Sequence, residues 1–565
     1  MSGSRRVPAA AQWPVQLSPS ASIDEPLHDG GPWIIALNNV PKARISADVA
    51  AVLRAVDGEK DPAQVAQFLG LPWTAADVMG IVRQLAHIGI FDDGAHELRA
   101  QGSGTQGRMD RRVQFRAPLT VQFTLFNPAP LLLLLRPAVA AMARPIAMVP
   151  LALLFLGGIL GALAAGSSIW RVLATPLALE VYLAVAGAMF ASTFLHELGH
   201  GMALTYFGGM PRRIGIMLFY LSPAFFCDVT DGWRLSSRRQ RVVIALAGPL
   251  VHLGLGSSAL AVQTLFPASW AKDAALLYGV ICWAVAILNL FPFIKLDGYV
   301  ALMSALDIPH LRQKSVKALA DVVGSRLLGA QATFPGNGLL PWFGLASSVA
   351  GVGFMLVGFQ RIVPVFLALG YAGHIVVFAL LCLLVVMACR SIIQFFRVAA
   401  ENGSPWWRRA LATLLGSLAI GALLAVIPVN QVTIAGYTYA DGQLLIVMPN
   451  DADDHSLETG DNVALQSQGM IIHENLGRAS IGDHPPSSSM APVDTLVPVA
   501  LADTTLPVLA YASQVQENTS LPASGRAEVT SQRQTNLGEW LGQAVSRSPL
   551  WPGQPERGNS TGGHS

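Results

Sequence analysis

Two histidines four residues apart, in Phe194-Leu195-His196-Glu197-Leu198-Gly199-His200, carry the strongest chemical signal in this chain. On a helix, residues at this spacing lie one above the other on the same face. His196 and His200 can therefore reach one metal ion, and Glu197 projects beside it toward a bound water. The run falls near the end of an apolar segment, where two imidazoles and a carboxylate are expensive unless something compensates them. A bound Zn²⁺ does so, because its charge offsets the carboxylates and its coordination satisfies the imidazoles. Polar residues that merely hold helices together do not require this spacing. A catalytic zinc takes three protein ligands and keeps one open position. After His200 the chain reads Gly201-Met202-Ala203-Leu204-Thr205-Tyr206, which offers no further ligand, so the third must come from elsewhere.

The elements that position these residues are set by hydrophobicity. Of 565 residues, 52% are hydrophobic and 13% are charged. A soluble globular chain carries roughly 25% charged residues. The deficit is concentrated in stretches that reach the ~20 apolar residues needed to cross a bilayer. Spans are predicted at 146–166, 177–203, 242–265, 274–294, 343–362, 370–396 and 409–428. Loop charge then orients them. Arg212, Arg213, Arg234, Arg238, Arg239 and Arg241 fall in one loop, and Arg312, Lys314, Lys317 and Arg326 in another. The opposite loops hold only Arg171 and Lys272. The amino terminus is expected in the cytoplasm of a multi-pass inner-membrane protein, with the carboxyl terminus outside. Asn289-Leu290-Phe291-Pro292-Phe293-Ile294-Lys295-Leu296-Asp297-Gly298-Tyr299 closes the fourth span and puts a carboxylate at the depth of His196 and His200.

The fold class expected is mostly α and polytopic, with about seven transmembrane helices. A small winged-helix-like α+β domain precedes them and a β-rich extracytoplasmic domain follows. Residues 1–31 read as a disordered tail and 32–97 as a cytoplasmic domain with a strand at Trp33–Leu37. That domain has helices capped by Ser46, Asp61-Pro62 and Thr74. Residues 98–145 read as a basic linker with an interfacial helix over Leu131–Leu135, and 146–428 as the membrane core. Residues 429–552 form the β-rich domain, and 553–565 a second tail. From Gln431 onward there are fourteen acidic residues, five arginines and no lysine, in keeping with an external location. Cys227, Cys282, Cys382 and Cys389 fall in or beside apolar segments and form no disulfide framework. Among other candidate ligands, His252 reads as a hydrogen-bonded core histidine. His310 and His374 read as loop or interface residues, and Asp228 and Asp231 as loop caps or substrate contacts.

Asn289, Pro292, Leu296, Asp297 and Gly298 match in register the "N-x-x-P-x-x-x-L-D-G" segment of site-2-protease-type intramembrane zinc metalloproteases. Together with the HExxH helix, this makes residues 177–320 resemble that family. The nearest resemblance is to its peptide zinc metalloproteases with a PqqD-like amino-terminal domain and a HlyD-like carboxyl-terminal region. Leu218–Pro223, Cys227–Arg234 and Asp307–Leu311 add to it. Leu290-Phe291 departs from the subgroup's usual Asn-Pro and leaves the aspartate in place. Leu53-Arg54-Ala55-Val56-Asp57-Gly58 resembles PqqD-like peptide-recognition domains. The strands near Val432 and Leu444–Val447, followed by Gly460-Asp461-Asn462-Val463, resemble the lipoyl-like β-sandwich of HlyD-like adaptors.

The resemblance implies one Zn²⁺ per chain, held by His196, His200 and Asp297 in the lipid bilayer, with Glu197 and Asn289 as catalytic residues. Glu197 would take the proton of the attacking water, and the Asn289 amide would donate to the oxyanion. The substrate would be a peptide or transmembrane protein, unwound by strand addition along Ile214–Tyr220. A helix-packing segment is the plain alternative there. A leader peptide is the expected partner of the amino-terminal domain and export proteins of the carboxyl-terminal one. No nucleic-acid partner is expected. Two other functions stay open: a non-proteolytic export or immunity component with a structural metal, and regulated cleavage of a signalling protein.

Overall fold

The computed structural model of the chain describes residues 15–26, 31–37, 40–86, 88–92, 113–116, 120–219, 222–332, 338–367, 371–449, 457–501, 504–516 and 521–539. Most of the basic linker before residue 113, residues 1–14 and the second tail lie outside them. The amino-terminal elements are β1 (Gln16–Leu17), β2 (Ala21–Asp24), β3 (Trp33–Leu37), β4 (Val40–Ile45), α1 (Ala47–Ala55), α2 (Pro62–Leu69), α3 (Ala75–Ala86) and β5 (Phe91–Asp92). Side-chain caps set the helix starts. The Val49 N–H donates to Ser46 Oγ at 3.3 Å, and Asp61 and Gln64 form a reciprocal capping box ahead of Pro62. Residues 15–26 depart from the disordered tail expected of them. β2 pairs with β3, placing Ile23 opposite Ile35, and β1 pairs with β5. Val15 is buried with Val52, Val65 and Val78, and this apolar contact holds the segment down.

The next elements are β6 (Val113–Arg116), β7 (Thr120–Phe126), α4 (Ala129–Met142), α5 (Pro145–Ala164), α6 (Gly166–Ala174), β8 (Leu177–Ala178) and α7 (Leu179–Tyr206). They are followed by β9 (Ile214–Phe219), β10 (Ser222–Cys227), α8 (Arg238–Val262), α9 (Trp270–Asn289) and α10 (Asp297–Leu306). Then come α11 (Leu311–Leu328), α12 (Leu340–Leu367), α13 (Tyr371–Glu401) and α14 (Trp406–Val426). Among the described residues, seven helices are long and apolar enough to cross a membrane. They are Pro145–Ala164, Leu179–Tyr206, Arg238–Leu265, Trp270–Asn289, Leu340–Gln360, Ala372–Glu401 and Trp406–Val426. Their large side chains face outward: Leu153 is 61% exposed and Phe190 64%. Such surfaces are costly in water and suited to hydrocarbon.

The chain divides into two compact units, Met1–Leu160 with Ala186–Ala261 and Tyr278–Pro309, and Gly161–Val185 with Val262–Leu277 and His310–Ser565. This division crosses the stretch 146–428 that reads as one core in the sequence. In the first unit a four-stranded antiparallel sheet has the order β10-β9-β7-β6. β6 and β7 fall where the sequence reading has a linker. Their signal is the alternation of Val121, Phe123 and Leu125 with Gln122 and Thr124, next to an arginine-rich stretch that draws the eye instead.

The amino-terminal module belongs to this same unit. Arg234 donates to the Glu25 carbonyl, and the Arg44 guanidinium lies 5.5 Å from the Trp233 ring centroid. Arg44, Arg238 and Arg241 converge on Asp307, the left-handed C-cap of α10. The shortest of these contacts joins Arg241 Nη2 to Asp307 Oδ1 at 2.6 Å, and Arg241 itself is buried.

In the second unit the strands are β11 (Pro428–Ala440), β12 (Gln443–Pro449), β13 (Asn462–Gln466), β14 (Asn475–Ile481), β15 (Ser487–Pro492), β16 (Val499–Ala500), β17 (Thr505–Val515) and β18 (Ser524–Asn536). Seven of them form one sheet of order β12-β11-β18-β13-β14-β17-β15, and β12 also pairs with β17. The sheet therefore closes on itself around Tyr437, Ile446, Leu465 and Val529, in the region whose sequence resembles a lipoyl-like β-sandwich. Closure follows from the length of β17, whose residues pair with β12, β14 and β15 in turn.

Asp307→Ala removes the one carboxylate that the structure places among three arginines. It is expected to lower stability by about 1.5–3 kcal/mol, the loss of charge-assisted hydrogen bonds to a buried cation. The fall is read as the thermal midpoint of purified protein; an unchanged midpoint would mean that the cluster contributes nothing.

Candidate metal centre

His196 and His200 occupy successive turns of α7, and both are buried, at 5% and 6% exposure. Their partner helix is α8. The Ile244 carbonyl lies 2.7 Å from His200 Nδ1, and a carbonyl only accepts, so Nδ1 carries the proton. The lone pair of His200 is thereby left on Nε2, which faces His196 Nε2 at 3.2 Å. Asp297 opens α10 and closes the group: Oδ2 is 2.9 Å from His196 Nε2 and Oδ1 is 3.4 Å from His200 Nε2. The three ligand-type atoms lie within 4.8 Å of one another.

Two glycines make this convergence sterically possible. A Cβ on Gly248 of α8 would stand 2.4 Å from His200 Nε2 and 2.5 Å from His196 Nε2. A bare backbone is therefore required where α8 backs the imidazoles. A Cβ on Gly298 would stand 2.1 Å from the Leu290 carbonyl oxygen, so only glycine lets the chain fold back after α9 and present Asp297.

The donor set fits zinc. Tetrahedral zinc with bonds of about 2.0–2.1 Å separates two ligand nitrogens by roughly 3.3 Å. The two Nε2 atoms stand at 3.2 Å. Two imidazoles and one carboxylate leave the fourth position open, as in catalytic rather than structural sites.

Glu197 lies beside this group. Its Oε2 accepts the Cys227 N–H at 2.8 Å, from the last residue of β10. Burial pushes the Cys227 thiol up, so it remains neutral next to the carboxylate. A cavity of about 390 Å³ opens in front, lined by Glu197, His200 and Asp297 together with Gln122, Met217 and Phe226. The Asp228 carboxylate also lines it, 3.0 Å from Arg213 Nη2 and bonded to Thr230. Burial raises the Asp228 carboxyl, and these partners more than reverse that, leaving it below the ordinary carboxylate range. Asp231 accepts the Met210 N–H at 2.9 Å and pairs with Arg234 at 3.1 Å, which is a loop-capping arrangement.

The structure does not bring Asn289 into this group. Its Nδ2 donates to the Val285 carbonyl one turn back at 3.0 Å, as an asparagine at a helix end readily does, and it does not line the cavity. His252 is buried, and its ring centroid is 5.1 Å from that of His196. Its Nδ1 has no hydrogen-bond partner, in contrast to the hydrogen-bonded role its sequence context suggests. Neither it, His310 nor His374 belongs to the convergent set. Ile214–Phe219 is a strand, but β7 and β10 occupy both its edges. The sheet edge beside Glu197 is β10, and sequence periodicity alone does not tell an edge strand from its neighbour.

Two curated proteins are similar to part of this chain. YydH of Bacillus subtilis (strain 168), provisionally named a peptide zinc metalloprotease protein, is 30% identical over 116 residues. That match covers 20% of this chain and 44% of YydH. The Synechocystis (strain PCC 6803) protein sll0528, provisionally named a zinc metalloprotease, is 32% identical over 117 residues, covering 20% of this chain and 29% of its own length. The chain thus matches less than half the length of each of these relatives. No family model and no solved structure matches it. At the level of family, the two likenesses support a zinc protease.

Gly248→Ala adds one methyl group against both imidazoles. Purified protein is expected to lose its zinc while keeping its helical circular-dichroism spectrum; full zinc occupancy in this variant would show that α8 does not back the centre.

Proposed function

We propose that this chain is a membrane-embedded zinc endopeptidase that cuts a peptide bond in a membrane-resident or membrane-delivered peptide. The observation that carries this reading is the meeting of His196 Nε2, His200 Nε2 and Asp297, with Glu197 next to them at a cavity wall. His196, His200 and Asp297 are assigned as ligands of one zinc ion. When bound, zinc supplies a Lewis acid and lowers the pKa of a coordinated water to about 7.

The chain's own groups do the rest. Glu197, aimed by the Cys227 N–H, takes a proton from the attacking water and returns it to the departing nitrogen. The His200 Nδ1–H, tied to Ile244, fixes the tautomer that presents Nε2. The outer edge of β10 offers main-chain groups on which an unwound substrate can pair, and it ends at Cys227 beside the general base. A helical substrate hides its carbonyls, so pairing of this kind also exposes the bond to be cut. The Asn289 amide donates one of its two N–H groups to the Val285 carbonyl within α9. A basic cytoplasmic side, with the amino-terminal module there and the acidic β-rich region outside, completes the reading. In it, the module takes a leader peptide and the β-rich region meets export partners.

His196→Ala should lose both zinc and cleavage. Glu197→Gln should keep zinc and lose cleavage by about 10²-fold or more, since general-base catalysis typically contributes about 10²–10⁴. Zinc content and turnover of an internally quenched peptide, measured on the same preparations, check both; cleavage retained in Glu197→Gln contradicts the mechanism.

A further inference from the structure

The cavity in front of the proposed centre has a roof with an unusual composition. It is the inner face of the β10-β9-β7-β6 sheet. Residues opposite one another in an antiparallel pair point to the same side. Gln122 pairs with Met217 and Met217 with Ala224; two residues along, Thr124 pairs with Gly215 and Gly215 with Phe226. Gln122, Met217 and Phe226 all line the cavity, which identifies this as the inner face. On the other face, Phe123 and Phe225 alternate with them, and Phe225 stacks edge-on against Phe190 and Phe194.

An apolar inner face would pack as well, yet β7 places an amide there. Gln122 is 8% exposed, and its Oε1 is buried without a hydrogen-bond partner. Thr124 Oγ1, on the same face, is also buried and unpartnered. Leaving a buried acceptor unsatisfied costs about 1–3 kcal/mol. Among the described residues neither group caps a turn or bridges strands, and Gln122 lines the cavity, from which a partner for its oxygen can come.

We propose that Gln122 is a substrate-positioning residue whose side-chain oxygen accepts a main-chain N–H from an extended peptide lying between the sheet and the metal centre. The chemistry suits that class of ligand. A neutral amide matches a peptide group, and the walls around it, Met217, Phe226 and Val300, accept apolar side chains. A charged ligand group would instead seek Arg213 or Asp228, which are already paired with each other. Held from the roof by Gln122, the peptide faces Glu197, His200 and Asp297 across the same cavity. The inference rests on the endopeptidase reading for its substrate, but peptide binding can be measured without turnover.

The experiment uses full-length protein in nanodiscs and an internally quenched peptide rich in Leu, Ala and Gly. Cleavage is followed in wild type and Gln122→Leu. Binding of the same peptide is followed by fluorescence polarisation in a Glu197→Gln background, with zinc content measured throughout. Gln122→Leu should raise KM and weaken binding about tenfold, as expected for one hydrogen bond to a buried group, with kcat and zinc unchanged. Wild-type cleavage with KM and binding indifferent to Gln122→Leu overturns the proposal and leaves the endopeptidase standing, with a water satisfying the amide. A loss confined to kcat likewise overturns it. Binding that depends on Gln122 without any cleavage by wild type keeps this site and removes the endopeptidase reading. Neither binding nor cleavage overturns both.

Discussion

Everything in the first unit is organised around the cost of bringing two imidazoles and two carboxylates together among apolar helices. Taken separately, His196, His200, Glu197 and Asp297 would each pay to leave water. Together the two carboxylates add like charge beside neutral imidazoles, and a divalent cation between the nitrogens and the Asp297 carboxylate would offset it. The surrounding structure reads as the means of enforcing this meeting. α8 ties down His200 through the Ile244 carbonyl and then leaves room at Gly248. The turn after α9 folds tightly enough, at Gly298, to present Asp297.

The sheet solves a second problem. A general base must point at the reaction site and not at the metal. Glu197 is drawn toward the sheet by a backbone N–H from the end of β10. Because the group holding it belongs to an edge strand, the proposed base and the proposed substrate-binding edge lie on the same element. The inner face of that sheet also lines the cavity. In the proposed reading, one four-stranded sheet links base orientation, substrate pairing and the cavity wall.

How much of this is legible in the sequence depends on the range of the interactions. The helical spacing of His196 and His200 is local, and hydropathy alone locates the seven apolar helices, because each signal lies within a single element. Asp297 is separated from His196 by about a hundred residues, and only its place at the end of a span and the motif around it single it out. The roof is harder to see. β7 belongs to the sheet through pairing with β9, far along the chain, and its short alternation gives no hint of its partner. The same limitation hides the anchoring of residues 15–26 and the closure of the carboxyl-terminal sheet through β12 and β17. Asn289 is the opposite case: its motif is plain in the sequence, and in the structure its Nδ2 donates to a carbonyl one turn back in its own helix.

The central claim is that one zinc ion joins α7 to α10 through His196, His200 and Asp297. X-ray absorption at the zinc edge of the purified protein tests it most directly. Two imidazole nitrogens and one carboxylate oxygen at about 2.0–2.2 Å are expected, with no sulfur at about 2.3 Å, and Asp297→Ala should lose the ion or the oxygen shell. A sulfur shell, or an Asp297→Ala spectrum identical to wild type at full occupancy, would contradict it.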